Sequence, residues 1–114
     1  MSECLFCSIA AGDIEADVVY EDDKVIGFRD INPQAPVHIL VIPRRHHADL
    51  NELESADAEL TAHLFSVVPE IAREEEVDED GYRVVINNGA DAGQEVEHLH
   101  VHILAGRGLG WPPG

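Results

Sequence analysis

His98, His100 and His102 alternate with Leu99, Val101 and Ile103, a period of two that predicts an extended strand over residues 98–104. Successive side chains of a strand point to opposite faces, so the three imidazoles share one face. Imidazole is the side chain whose unperturbed pKa lies nearest neutrality. In such a row one ring can attack as a free base while another carries a proton to a leaving group. Spacing alone also allows a polar sheet face or an adventitious metal chelate.

The remaining elements follow from pattern and punctuation. Residues 4–11 are short and apolar-rich and run into Gly12-Asp13, which predicts one to two turns of helix ending in a cap. Val18-Val19-Tyr20 and Val25-Ile26-Gly27-Phe28 flank the polar Glu21-Asp22-Asp23-Lys24 and predict a hairpin. Pro33 and Pro36 restrict residues 31–36 to a loop, and residues 37–42, bounded by Pro36 and Pro43, read as a buried strand. Ser55 is placed to cap a helix with Asp57 and Glu59 in its first turn and a stripe of Leu60, Leu64, Val67, Val68 and Ile71. Pro69 falls inside that stripe and should kink the helix or end it early, at about 3 kcal/mol. The acidic run 74–80 reads as a solvated helix end and turn, residues 82–86 as a strand, and Asn87-Asn88-Gly89 as the start of a turn. Five short strands, one long helix and one small N-terminal helix predict an α+β fold on an antiparallel sheet, in a single domain spanning residues 1–114. The strand order does not follow from this pattern.

Charge narrows the partners. With 23 acidic against 7 basic residues the formal charge is −16, which argues against a polynucleotide partner, because binding a polyanion relies on Lys and Arg neutralising phosphates. A small anion held by backbone amides and imidazoles stays compatible, since groups within a Debye length of about 8 Å outweigh distant charge. A single lysine, Lys24, in so acidic a chain suits either a cell with high internal salt or simply a very soluble protein. No apolar run approaches the roughly 20 residues of a membrane helix, and Met1-Ser2-Glu3-Cys4 lacks a signal peptide's basic flank and apolar stretch. Cytoplasmic location and no membrane partner are therefore expected. In that reducing compartment Cys4-x-x-Cys7 reads as a metal or redox pair rather than half of a disulfide framework.

The chemistry clusters around the histidines. Gly93-Gln94 precedes them, and a glycine lets the backbone approach a ligand and turn amides toward an anion. Asn87 adds a neutral donor and acceptor. Together these describe a phosphate pocket without lysine. Cys4, Cys7, His98 and one of His46 and His47 supply the ligand types of a tetrahedral Cys2His2 centre, with sequence favouring neither histidine.

Gln94-Glu95-Val96-Glu97-His98-Leu99-His100-Val101-His102 resembles the signature of the histidine triad superfamily. Phe28-Arg29-Asp30-Ile31-Asn32-Pro33-Gln34-Ala35-Pro36-Val37-His38 and Ala105-Gly106-Arg107-Gly108-Leu109-Gly110-Trp111-Pro112-Pro113-Gly114 resemble its nucleotide-binding branch, while residues 48–80 carry little of the resemblance. It implies a homodimer whose sheets join, a purine nucleotide as small-molecule partner, and hydrolysis of adenosine 5′-phosphoramidates to AMP and an amine, with no cofactor in the chemistry. His100 matches the nucleophile that becomes a nucleotidyl-histidine, His102 a phosphate-contacting partner, and His98 a supporting neighbour or, in some members, a zinc ligand. His38 matches the residue that orients the nucleophilic ring. Asp30 matches the carboxylate on the ribose hydroxyls. Phe28 and Ile31 match one wall of the base pocket, with Leu5, Phe6 and Ile9 the other. Asn87, Gly93, Gln94 and Glu95 align with groups around the phosphate, and Trp111 belongs to the C-terminal part of the same nucleotide-site pattern. Some bacterial members carry a structural zinc of this kind, so the resemblance implies one on Cys4, Cys7, His98 and His46, with His47 an equal candidate by sequence.

Two positions depart from the pattern. Glu95 stands where many members have a hydroxyl that donates to the phosphate or leaving nitrogen, and a carboxylate there only accepts. Glu97 replaces a common aromatic. Two other readings therefore stay open: a nucleotide-binding module with vestigial turnover, and hydrolysis of dinucleoside polyphosphates, against which the Trp111-Pro112-Pro113-Gly114 ending argues.

Overall fold

Every aliphatic run found in the sequence is used, and the sheet order decides which face each one serves. In the computed structural model, which describes residues 4–114, helix α1 (Leu5–Ala10) is followed by β1 (Val18–Glu21), β2 (Val25–Arg29), β3 (Val37–Pro43), helix α2 (Ala58–Glu74), β4 (Tyr82–Val85) and β5 (Val101–Ala105). The strands form one antiparallel sheet in the order β1-β2-β3-β5-β4. The N-terminal signal reading falls on residues 1–3, outside the described residues, and on Cys4, which caps α1 by accepting from the Cys7 N–H at 3.4 Å.

Strand β3 lies at the centre, which is why it is an unbroken apolar run. Its Ile39 and Val41 join Val25, Leu99, Val101 and Ile103 beneath Leu64, Val67, Val68 and Ile71 of α2. Its Leu40 and Ile42 face the other way and pack with Ile26 and Phe28 beneath Phe6 and Ile9 of α1. One sheet thus carries two apolar layers, and the layer under α1 is the one that shares its face with the histidines.

Three expectations need correction. The last strand starts at Val101, not at residue 98. The β3–β5 ladder runs to Val41↔Val101, and the next bonded position would oppose Pro43, which has no N–H; Leu99 instead donates to the His47 carbonyl at 2.7 Å. The alternation survives without the ladder, because Leu99 still enters the α2 layer. Pro69 does not end α2 early, since the helix continues to Glu74 with buried Leu64, Val67, Val68, Ile71 and Ala72 on both sides of it. Burial of that stripe offsets the missing hydrogen bond. The start of α2 is held by a capping box between Glu54 and Asp57 around a 3-10 turn at Ser55–Asp57, so Ser55 is not the cap. The acidic run keeps its solvated character except at Glu75, which takes both terminal nitrogens of Arg29 at 2.8 and 2.9 Å. Among the described residues, no helix is long and apolar enough to cross a membrane.

Candidate active site

Between α1 and the sheet lies a cavity of 540 Å³. Leu5, Phe6 and Ile9 of α1 wall one side, and Phe28, Asp30 and Ile31, at the end of β2 and beyond it, wall the other. Asn87, Gly93 and Glu95 border it from the segment before β5, and His38, His100 and His102 stand along its sheet side. Phe6 and Phe28 meet edge to face with centroids 5.4 Å apart, and both are buried. Ile31, by contrast, is 99% exposed and forms rim rather than floor.

Two expected residues are placed elsewhere. Gln94 turns away from the cavity to brace the loop: its Oε1 accepts from the Gly89 N–H at 2.8 Å, and its Nε2 donates to the carbonyls of Ala48 at 2.8 Å and Val96 at 3.0 Å. Trp111 is 84% exposed and does not line the cavity of this chain. The sequence reading in turn missed Ile14, Glu15, Ala16, Arg29, Asn32, Gln34, Leu40 and Val96. Leu40 had a signal, since the period of two puts it on the same face as His38. The residues at 14–16 gave none, because a loop that follows a helix carries no periodicity.

The histidines are held in defined tautomers by their partners. The N–H of Gln34 donates to His38 Nδ1 at 3.0 Å, so the proton of the neutral His38 ring is on Nε2, which donates to His102 Nδ1 at 2.9 Å. That leaves the proton of His102 on Nε2, a buried atom with no hydrogen-bond partner among the described residues, in a ring that lines the cavity. The register explains the pairing: Leu40 lies opposite His102, and His38 is its diagonal neighbour on the same face. His38 therefore orients His102, not His100 as expected. His100 is oriented by the backbone: its Nδ1–H donates to the His98 carbonyl at 2.7 Å, which leaves the lone pair on Nε2. Its ring stands against Phe6 at 5.1 Å and His102 at 4.9 Å between centroids.

Burial favours the neutral forms of His102 and His38. Burial, reinforced by the neighbouring His100 and His38, pushes His102 down to about 4. Burial also lowers His38, opposed by the Asp30 carboxylate, whose Oδ2 lies 3.5 Å from His38 Nε2. Asp30 is itself fixed by accepting from the Asn32 N–H at 2.9 Å. A neutral lone pair beside a neutral N–H donor is the arrangement needed to attack an electrophile while holding the oxygen it carries.

A second cluster lies behind the triad. Cys4 Sγ and Cys7 Sγ are 3.3 and 3.5 Å from His98 Nδ1, Cys7 Sγ is 3.2 Å from His46 Nδ1, and the two Nδ1 atoms are 3.2 Å apart. A tetrahedral ion with two thiolates and two imidazoles has N···N edges of about 3.4 Å and N···S edges of about 3.6 Å, so the donors converge to within a few tenths of that figure. His98 Nε2–H donates to the Pro43 carbonyl at 2.8 Å, which points the Nδ1 lone pair at the cluster and supplies the outer-sphere bond such ligands require. The choice left open by sequence falls on His46. His47 is buried apart from the cluster, and its Nε2 has no hydrogen-bond partner among the described residues.

Known proteins match this chain over nearly its whole length. The chain matches the HIT domain family over residues 11–109. An uncharacterized HIT-like protein of Synechococcus elongatus is 52% identical over 115 residues, covering 100% of this chain and 100% of its own. A 14 kDa zinc-binding protein of Zea mays is 48% identical over 115 residues, covering 99% of this chain and 89% of its own. Among solved structures, a HIT family hydrolase from Legionella pneumophila Philadelphia 1 superposes with a TM-score of 0.96 at 48% identity, over 98% of this chain and 100% of that one. With a family match over nearly its whole length and the same fold at that level of identity, the chain belongs to the HIT domain family.

Proposed function

We propose that the protein is a purine nucleoside phosphoramidase of the histidine triad nucleotide-binding branch, hydrolysing adenosine 5′-phosphoramidates to AMP and an amine. The observation that carries the reading is the contrast between two neighbouring rings: His100 keeps a lone pair on Nε2, and His102 keeps a proton on Nε2. In the proposed first step His100 Nε2 bonds to phosphorus, the P–N bond breaks, and the nitrogen takes up a proton from solvent water and leaves as the amine. Water then bonds to phosphorus and gives up a proton to solvent, the Nε2–P bond breaks, and AMP departs. His102 Nε2–H holds a phosphoryl oxygen through both displacements, and Asn87 and Gly93 line the same cavity. Phe6, Ile9 and Phe28 take the apolar faces of the base, Leu5 and Ile31 close its rim, and Asp30 accepts from the ribose hydroxyls. No cofactor enters the chemistry.

Zinc on Cys4, Cys7, His46 and His98 belongs to the same proposal. Its contribution is structural, tying the cap of α1 to the residue whose carbonyl holds His100. So do a single domain over residues 1–114, cytoplasmic location and a homodimer with joined sheets; β4, outermost in the strand order, is an open edge for such a joint.

The test is intact-protein mass spectrometry after acid quench with an adenosine phosphoramidate, on wild type and His100→Ala. An adenylyl adduct on wild type alone is expected. Turnover surviving in His100→Ala would overturn the reading. Glu95 favours a second reading, a nucleotide-binding module with vestigial turnover, because a carboxylate borders the cavity where the phosphate would sit. Tight AMP binding with no adduct would select it.

A further inference from the structure

The hydrogen-bond relay that orients His102 does not end at His38. Gln34, whose N–H fixes the His38 tautomer, has its own carbonyl held by Arg107 Nη2 at 3.0 Å, while Nη1 of the same guanidinium donates to the Gly108 carbonyl at 2.9 Å. Arg107 stands just past the end of β5, far along the chain from the loop it holds. A second contact lies beside the first. Gly106 has φ +94°, and a Cβ built there would come within 2.8 Å of Pro36 Cβ, so the chain just after Gln34 and the segment after β5 are seated against one another.

We infer that Arg107 is a positioning residue for the catalytic histidines, acting through Gln34 and His38 on the proton of His102. The inference rests on the proposed phosphoramidase reading. Proton bookkeeping in the relay shows why a remote guanidinium matters. When the Gln34 N–H leaves His38 Nδ1, the neutral His38 ring is free to carry its proton on Nδ1 instead. His38 Nε2 then becomes an acceptor, His102 must donate from Nδ1, and His102 Nε2 is left with a lone pair facing the phosphoryl oxygen. A donor turns into a repulsive acceptor without any movement of the ring. Lysine cannot reproduce the clamp, because one ammonium does not span both carbonyls as a planar fork does.

The full-length protein with Arg107→Ala and Arg107→Lys is assayed with adenosine 5′-phosphoromorpholidate, and the tautomer of His102 is read by long-range proton–nitrogen NMR. Expected in Arg107→Ala are kcat lower by about tenfold, the effect of one lost charge-assisted hydrogen bond, and KM within about twofold. His102 Nε2 shifts toward the unprotonated form, with Arg107→Lys between the two. An unchanged His102 tautomer overturns the inference even where kcat falls, and so does an unchanged kcat. Where Arg107→Ala does not fold, the same two readouts on Arg107→Lys decide. A wild type that turns over no phosphoramidate defeats the functional reading, while the tautomer measurement still decides whether Arg107 sets the His102 proton.

Discussion

His100 donates from Nδ1 to the backbone carbonyl of His98 at 2.7 Å, while the ring of His98 reaches the opposite way to Cys4, Cys7 and His46. One residue therefore serves two centres, the cavity through its main chain and the Cys2His2 cluster through its side chain. Metal content should follow the cluster residues alone. One zinc per chain is expected in wild type and in His47→Ala, and none in Cys7→Ser or His46→Ala, with a melting temperature lower by several degrees in the latter two. Elemental analysis of the purified proteins checks this; zinc retained by His46→Ala and lost by His47→Ala would reverse the assignment.

His102 gives the folded protein a defined response to acid. Its folded pKa, pushed down to about 4, lies below the ordinary value of 6.5, so between those values the unfolded chain binds more protons and stability falls as pH falls. The contribution is complete above pH 6.5 and is lost at up to about 1.4 kcal/mol per pH unit on the way to 4. His38, lowered by burial, acts in the same direction. Urea unfolding at pH 7.5 and 5.0 should show a larger loss on acidification in wild type than in His102→Gln, where the titrating ring is gone. Equal losses in the two proteins would show that His102 keeps its ordinary pKa in the fold.

The elements were legible in the sequence because their patterns are local; what was missed depends on partners distant in the chain. Period two at residues 98–103 and the stripe from Leu60 to Ile71 announced a strand face and a helix face, and most of the cavity wall followed from the resemblance. The start of β5 did not, since it depends on Pro43 arriving opposite residue 99, a matter of register that no local window contains. Pro69 misled for the same reason, because the burial that sustains α2 comes from strands elsewhere in the chain. The partner of His38 and the choice of His46 over His47 depend on diagonal neighbours across the sheet and on one side-chain direction. Gln94 looked like a phosphate ligand because its backbone environment is glycine-rich, yet its amide is consumed by three carbonyl and N–H partners of the loop.

Asp22 should matter for stability and not for catalysis. Its carboxylate accepts from the Lys24 and Val25 N–H groups at 2.8 Å each, from the Tyr20 hydroxyl at 2.8 Å and from His63 Nε2 at 2.6 Å, tying the β1–β2 turn to α2. Those bonds outweigh the opposing cost of burial and hold Asp22 well below the usual carboxylate range; the bond from the Tyr20 hydroxyl helps push that group up to about 12. Asp22→Ala strands several donors at once and should cost about 2–4 kcal/mol by denaturant unfolding, with His63→Ala costing less. Phosphoramidate turnover at 20 °C should stay within about twofold of wild type in both. A stability change in Asp22→Ala below about 0.5 kcal/mol would mean that the turn holds itself.

Glu95 is the cavity residue whose charge opposes the proposed chemistry. It is exposed on the cavity border, where its carboxylate repels a phosphate and has no proton to give a leaving nitrogen. Glu95→Ser should raise kcat/KM for adenosine phosphoromorpholidate by about threefold to tenfold. Glu95→Gln, which removes charge but keeps size, should recover part of that gain. The gain should shrink in molar salt, since an exposed charge is screened there. Slower turnover in both variants would make Glu95 an aid to catalysis and the repulsion argument wrong.

The formal charge of −16 on 114 residues makes self-repulsion a global term, and salt is the variable that isolates it. Few acidic groups are neutralised locally by an arginine or lysine: among the described residues Asp17 and Glu75 flank Arg29, and Glu21 meets Arg44 at 3.5 Å. Most of the 23 carboxylates therefore repel one another through solvent, where the Debye length falls from about 10 Å at 0.1 M to about 3 Å at 1 M salt. Raising KCl over that range removes the long-range repulsion and leaves the short, partly buried Arg29–Glu75 pair nearly untouched. The melting temperature should rise by several degrees, and the proposed dimer should dissociate at lower protein concentration than in dilute buffer. Potassium chloride suits this test because it screens without the strong preferential exclusion of sulfate, which stabilises any fold through its apolar surface. A melting temperature that falls between 0.1 and 1 M KCl would mean that local ion pairs, not the summed surface charge, govern the stability of this protein.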